Sequence, residues 1–182
     1  MKFLPLALPE VVLVEPDVYR DDRGFFLETY QKRKYGEAGL PEEFVQDNHS
    51  FSSQGTLRGM HSQVRNPQGK LIRAVAGEIF DVAVDLRPES PTFGRWVGEV
   101  LSAENFRQLW VPPGFAHGFC VMSESAHVLY KCTTFYEKED EIALLWNDPQ
   151  IGIAWPTATP LLSPRDQAAP KLAEIVHKLA PQ

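Results

Sequence analysis

The stretch Glu78-Ile79-Phe80-Asp81-Val82-Ala83-Val84-Asp85-Leu86 decides the fold class. Successive side chains of a strand point to opposite faces, so Phe80, Val82, Val84 and Leu86 share one side and Asp81, Ala83 and Asp85 the other. A face carrying two acids borders either bulk water or a polar cavity enclosed by β structure, and the pattern leaves both open. The same texture recurs outward in both directions. Val11 to Glu15, Gly24 to Tyr30, Phe44 to Phe51, Thr56 to Gln63 and Lys70 to Ala76 precede it; Arg95 to Leu101, Arg107 to Val111, Gly118 to Met122, His127 to Tyr136 and Ile142 to Trp146 follow. Each run is bounded by Gly, Pro, Asn or Asp, the spacing of an all-β sandwich or barrel. Helical periodicity is confined to Lys32 to Gly39 and to Lys171 to Leu179, where Leu172, Ile175, Val176 and Leu179 recur at i, i+3, i+4 and i+7. These read as peripheral helices covering the sheets.

A length of 182 residues allows one domain, and no linker, repeat or composition break divides residues 1–182. With 43% hydrophobic and 23% charged residues, a disordered or low-complexity chain is excluded. The net charge of −6 argues against nucleic acid as the main partner, while a small anion in a local basic pocket is still permitted. Cys120 and Cys132 lie in apolar runs and read as buried free thiols. Pro5, Pro9 and Glu10 break the N-terminal apolar run, so neither a signal peptide nor a membrane anchor is expected. Prolines and glycines interrupt the two longest stretches without Asp, Glu, Lys or Arg, Gln108 to Ser123 and Pro149 to Pro164, so neither reads as a spanning helix. A cytoplasmic location is expected.

Several residues suit chemistry. His61 and His117 each lie beside glycines and among apolar neighbours, and Pro112-Pro113-Gly114 is read as delivering His117 to a strand mouth. A single such histidine is ordinarily structural; two in one β fold suggest a site. Arg58, Lys70 and Arg73 gather near His61 in a protein that is negative overall, and Arg23 follows an Asp21-Asp22 turn. Guanidinium forks and a lysine point charge suit a phosphorylated ligand or a developing oxyanion. The run from His127 places Tyr130, Cys132, Thr134 and Tyr136 on one face, and a phenol held opposite a histidine permits two-sided proton transfer.

These residues carry a family resemblance that runs nearly end to end. It rests on Asp22-Arg23-Gly24-Phe25-Phe26-Leu27-Glu28, Gln46-Asp47-Asn48-His49-Ser50, Leu57-Arg58-Gly59-Met60-His61, Asp81-Val82-Ala83-Val84-Asp85-Leu86-Arg87 and Pro113-Gly114-Phe115-Ala116-His117-Gly118-Phe119. Tyr130-Lys131, Trp146-Asn147-Asp148-Pro149 and Leu162-Ser163-Pro164-Arg165-Asp166 add to it. The chain resembles the dTDP-4-dehydrorhamnose 3,5-epimerases of the cupin superfamily. The resemblance implies a cupin-type jelly roll, a homodimer to which the N-terminal strands contribute, and no metal or other cofactor. It further implies epimerisation at C3 and C5 of dTDP-4-dehydro-6-deoxy-D-glucose, in rhamnose and cell-surface polysaccharide biosynthesis. By that likeness His61 is the general base, Asp166 its orienting carboxylate, Tyr130 the acid on the opposite face, and Lys70 the stabiliser of the enolate at the C4 oxygen. A reference imidazole pKa of about 6.5 suits a base near neutrality. Arg23, Glu28, Gln46, Asp47, Asn48, Arg58, His117, Glu141 and Arg165 are the implied substrate-binding residues, some reaching across the dimer.

Two departures from the family pattern are visible: Ser62 where an aromatic residue is usual, and Arg165 where lysine is commoner. Parity raises a further difficulty. Arg58 and His61 are three apart and face opposite sides of a regular strand, unless Gly59 forms a bulge or Arg58 acts across the dimer. Three rival readings stand beside the 3,5-epimerase. One is a 3-epimerase of a deoxysugar pathway; another is a metal-dependent cupin using His61, Gln63 and His117; the third is a non-catalytic sugar-nucleotide binder.

Overall fold

The computed structural model of the chain describes residues 1–179. Thirteen strands and three short helices follow in order: β1 (Lys2–Pro5), β2 (Val12–Glu15), β3 (Val18–Asp21), β4 (Gly24–Leu27), α1 (Lys32–Glu37), β5 (Gln46–Ser53), β6 (Leu57–Gln63), β7 (Lys70–Ala76), β8 (Glu78–Asp85), β9 (Trp96–Ser102), β10 (Gln108–Val111), β11 (Phe115–Val121), β12 (Ser125–Cys132), β13 (Glu141–Ala143), α2 (Pro164–Gln167) and α3 (Leu172–Leu179). A six-stranded sheet, β1-β2-β10-β7-β12-β5, faces a five-stranded sheet, β13-β6-β11-β8-β9, and β3 and β4 form a separate hairpin. The non-consecutive neighbours are the crossovers of a jelly roll.

Between the sheets, Leu13, Ile72, Ala74 and Val128 meet Ile79, Ala83, Leu101, Phe119 and Val121 in one buried cluster. The strand that decided the fold class lies inside its sheet, between β11 and β9, and it is buried on both sides. Val82, Val84 and Leu86 turn away from the sandwich and pack with Met60, Ala116, Leu144 and the α3 residues Leu172 and Ile175. Ala83 points inward, and Asp81 and Asp85 alternate with it. Both acids are completely buried, so the acidic face belongs to the enclosed interior and not to bulk water. Such groups persist only when hydrogen-bonded. Asp85 accepts from Arg87, Ser90 and Thr92, and Asp81 pairs with His117.

The strand pattern read from the sequence recurs with small shifts, and the differences have physical reasons. β1 went unread because Lys2-Phe3-Leu4-Pro5 does not alternate; it holds the sheet edge, where a proline costs no ladder donor. β12 stops at Cys132, leaving Phe135 and Tyr136 outside it and exposed. β11 begins at Phe115, so His117 lies within that strand and not at its mouth. On α3, Leu172 and Ile175 are buried and contribute roughly 1.5–3 kcal/mol each, whereas Val176 is exposed. No helix among the described residues is long and apolar enough to cross a membrane.

Candidate active site

The parity conflict at Arg58 and His61 is settled by a bulge. His117 pairs with His61 but Phe119 pairs with Arg58, so β6 spends three residues where β11 spends two. The extra residue shortens the alternation by one step and turns both side chains to the same cavity. Gly59 permits it. Its φ is +120°, and a Cβ there would stand 2.6 Å from the Gly118 Cα, so only glycine fits this close approach of two strands.

His61 is held from the other end of the chain. Leu57 N–H donates to Leu161 O at 2.9 Å and Leu161 N–H to Gly55 O at 2.8 Å, docking the segment before α2 against the start of β6. Ser163 caps α2, its hydroxyl accepting from Asp166 N–H at 3.1 Å, which fixes the Asp166 side chain under the imidazole. Asp166 Oδ1 then lies 2.7 Å from His61 Nε2. Burial alone would raise the Asp166 pKa, but hydrogen bonds from His61, Ser163 and the Gly59 backbone, with the His61 charge, outweigh it and hold the carboxyl below its usual range. An ionised carboxylate can only accept, so Nε2 carries a proton, and in the neutral imidazole Nδ1 presents its lone pair to the cavity.

The cavity has two lobes of about 340 and 260 Å³, and His61, Lys70 and Tyr130 line both. The imidazole and the phenol therefore share one compartment. Burial, then Cys132, push the Tyr130 phenol above its ordinary pKa against the opposing charge of Arg58, so it stands protonated and able to donate. Burial pulls the Lys70 ammonium down, partly offset by Cys132, Glu141 and Asp81. Arg58 is braced by Ser52 Oγ at 2.9 Å and Phe51 O at 3.4 Å, which aims its guanidinium without neutralising it. His117 lies beside His61 and pairs with Asp81 at 3.0 Å.

Of the implied binding residues, Gln46, Asn48, Arg58, His117, Glu141 and Arg165 line the two lobes. Asp47 does not: the alternation of β5 sends it to the outer face, where it pairs with Lys131 at 2.9 Å. Arg23 and Glu28 also lie outside. Arg23 bonds Asp21 on the β3–β4 hairpin with its side chain 90% exposed, and Glu28 pairs with Lys34 at 2.8 Å. Gln63, a ligand in the metal-cupin reading, is spent as a brace: its amide donates to Asn66 O and Phe135 O and accepts from Glu137 N–H.

Three residues of the site are not among the implied catalytic and binding residues. Ser50 Oγ is buried in the wall beside Arg58 with no hydrogen-bond partner among the described residues, a group that a ligand would satisfy. The signal was its two-residue spacing from Gln46 and Asn48. Tyr136, half-exposed at the mouth, donates to Glu141 at 3.0 Å. Asp81 stands behind His117, as the acidic face of β8 allowed.

A two-lobed cavity with a carboxylate-tethered imidazole, a protonated phenol and several cations suits a carbonyl substrate bearing phosphate, and relatives of known name agree with that chemistry. The family model described as dTDP-4-dehydrorhamnose 3,5-epimerase matches residues 5–174. The protein of that name from Pseudomonas aeruginosa is 58% identical over 176 residues, covering 96% of this chain and 97% of the relative. The Legionella pneumophila enzyme, solved in complex with dTDP-4-keto-L-rhamnose, superposes with a TM-score of 0.95 at 49% identity, covering 100% of this chain and 97% of that one. A 3'-monoepimerase from Streptomyces bikiniensis is similar at a TM-score of 0.90 and 34% identity, covering 96% and 91%. Matched along nearly its whole length in sequence and in backbone, the chain belongs to the dTDP-4-dehydrorhamnose 3,5-epimerase family.

Proposed function

We propose that the protein inverts C3 and C5 of dTDP-4-dehydro-6-deoxy-D-glucose, giving dTDP-4-dehydro-L-rhamnose for rhamnose biosynthesis. The observation that carries the reading is the shared cavity of His61, tethered to Asp166, and Tyr130. Carbons 3 and 5 flank the C4 ketone, so their protons are the acidic ones. His61 Nδ1 removes one, and Asp166 stabilises the imidazolium that forms. Charge moves to the C4 oxygen, where Lys70 supplies a preorganised positive group. Tyr130 delivers a proton to the opposite face, which inverts the centre. Ser50 and Arg58 offer a donor pair for a phosphate oxygen. The half-exposed Tyr136 ring offers a planar surface for the base.

The placement of Arg23 and Glu28 supports a homodimer. Their hairpin carries Tyr19, Phe25 and Phe26 at 64%, 55% and 69% exposure, more apolar surface than a free loop ordinarily presents. β5 is an edge strand whose inward residues Gln46 and Asn48 line the cavity, so a hairpin from a second copy seated along that edge brings Arg23 to the substrate. Incubation with the 4-keto sugar nucleotide in deuterated water tests the chemistry. Label at C3 and C5 is the expected result; label at C3 alone assigns a 3-epimerase, the activity named for the Streptomyces bikiniensis relative; absence at both overturns catalysis.

A further inference from the structure

Two successive inversions in one cavity pose a proton problem. After the first, His61 holds a proton taken from carbon and Tyr130 has given one up. The second inversion needs a neutral imidazole and a protonated phenol again. Asp166 cannot receive the proton, because it is bonded to Nε2 and the incoming proton sits on Nδ1. The acceptor must lie on the cavity side.

Among the described residues, Asp166 and Glu141 are the carboxylates that line the two lobes. Glu141 Oε1 stands 3.7 Å from His61 Nδ1, with the Glu141 side chain only 9% exposed. That separation is one small side-chain adjustment, or one water, from a hydrogen bond, the usual looseness of a catalytic contact before substrate binds. Its other oxygen faces outward, accepting from Tyr136 Oη at 3.0 Å and pairing with Arg165. Tyr136 is 48% exposed, so Glu141 spans the distance from the enclosed base to the solvent at the mouth. β13 fixes this arrangement, since Glu141 pairs with Gln63 and Ala143 with His61 on the same edge of β6.

We propose that Glu141 is the proton carrier that resets His61 between the two inversions, with Tyr136 and Arg165 as its positioning residues. The imidazolium Nδ1–H gives its proton to the Glu141 carboxylate, which becomes a neutral acid and then releases the proton to water at the mouth. Tyr130 takes a proton back from solvent, so the cycle is balanced and leaves no net charge. The assignment rests on the epimerase reading above, in which Glu141 is only a binding group.

The test is a single turnover with enzyme in excess, quenched and resolved by NMR into singly and doubly inverted sugar nucleotide. In wild type the doubly inverted product dominates. In Glu141→Gln the ratio of second to first inversion falls by roughly 10²-fold, the low end of what a positioned proton carrier contributes. In Glu141→Ala, added formate raises that ratio several-fold and does not change it in wild type. An unchanged ratio in either variant, or a fall that formate does not relieve in Glu141→Ala, overturns the proposal; should Glu141→Ala not fold, the ratio in Glu141→Gln decides alone. Wild type that inverts neither carbon defeats the epimerase reading instead, whatever the variants do.

Discussion

His61 and Asp166, 105 residues apart in sequence, are joined by a contact of 2.7 Å between Nε2 and Oδ1. The contact sets the tautomer of the neutral His61 ring. Because Asp166 is ionised and capped in place by Ser163, the imidazole has no choice but to donate from Nε2 and accept at Nδ1.

Asp166→Asn therefore reverses the tautomer with little change of shape, since an amide can donate to Nε2 and push the proton onto Nδ1. The expected loss in kcat is about 10³ to 10⁴-fold, as for a comparable change in a hydrolase triad. Titration with dTDP should give a Kd within a few-fold of wild type. A variant retaining most of its kcat would remove the tautomer argument.

Tyr130→Phe keeps the ring and deletes the donor. Deuterium exchange at carbon needs only the base, whereas inversion also needs delivery to the other face. Net inversion should fall by roughly 10² to 10⁴-fold while wash-in of solvent label falls less. Following both in one reaction by NMR checks it, and equal losses would argue that a single group serves both faces.

Much of this site was legible because period two is rigid. Asp81 and Asp85 had to share a face, and only their destination was open until the sandwich closed over them. Arg58 and His61 could not share one on a regular strand, a conflict that left open a bulge at Gly59 or a role for Arg58 across the dimer until the register of β6 against β11 showed the bulge. What escaped depends on distant contacts. Asp166 was assigned by family likeness alone, since nothing local to Ser163-Pro164-Arg165-Asp166 reveals a histidine a hundred residues away. Ser50 looked like any strand serine until its hydroxyl proved to be buried without a partner among the described residues. Asp47 was grouped with Gln46 and Asn48 although alternation already separated it from them.

Gly59→Ala should cost more than an ordinary surface substitution. The added methyl must fit at φ +120° and 2.6 Å from the Gly118 Cα, both backbone constraints that no rotamer relieves. A loss of roughly 1–3 kcal/mol is expected, as for overpacking in a core. Relief by straightening β6 would turn Arg58 out of the cavity. Urea unfolding and kcat/KM should therefore fall together; full stability with full activity would show that the bulge does not align these two residues.

Asp85 ties acid stability to the same strand. Burial acts to raise its pKa, but hydrogen bonds from Arg87, Ser90 and Thr92 prevail and lower it to about 2 from an ordinary value of 3.8. A depressed carboxyl contributes stability that is complete above its unfolded pKa and disappears as pH falls through the folded value. The window is therefore pH 4 to pH 2. For a side chain with no solvent exposure, the shift corresponds to about 2 kcal/mol. Wild-type unfolding free energy should drop by that order across the window, beyond the drift from other carboxylates. Asp85→Asn should be less stable than wild type at pH 6 and should show a shallower slope below pH 4. An Asn variant with the same slope as wild type would mean that other groups govern the acid limb and that the Asp85 network is not what holds the β8–β9 turn.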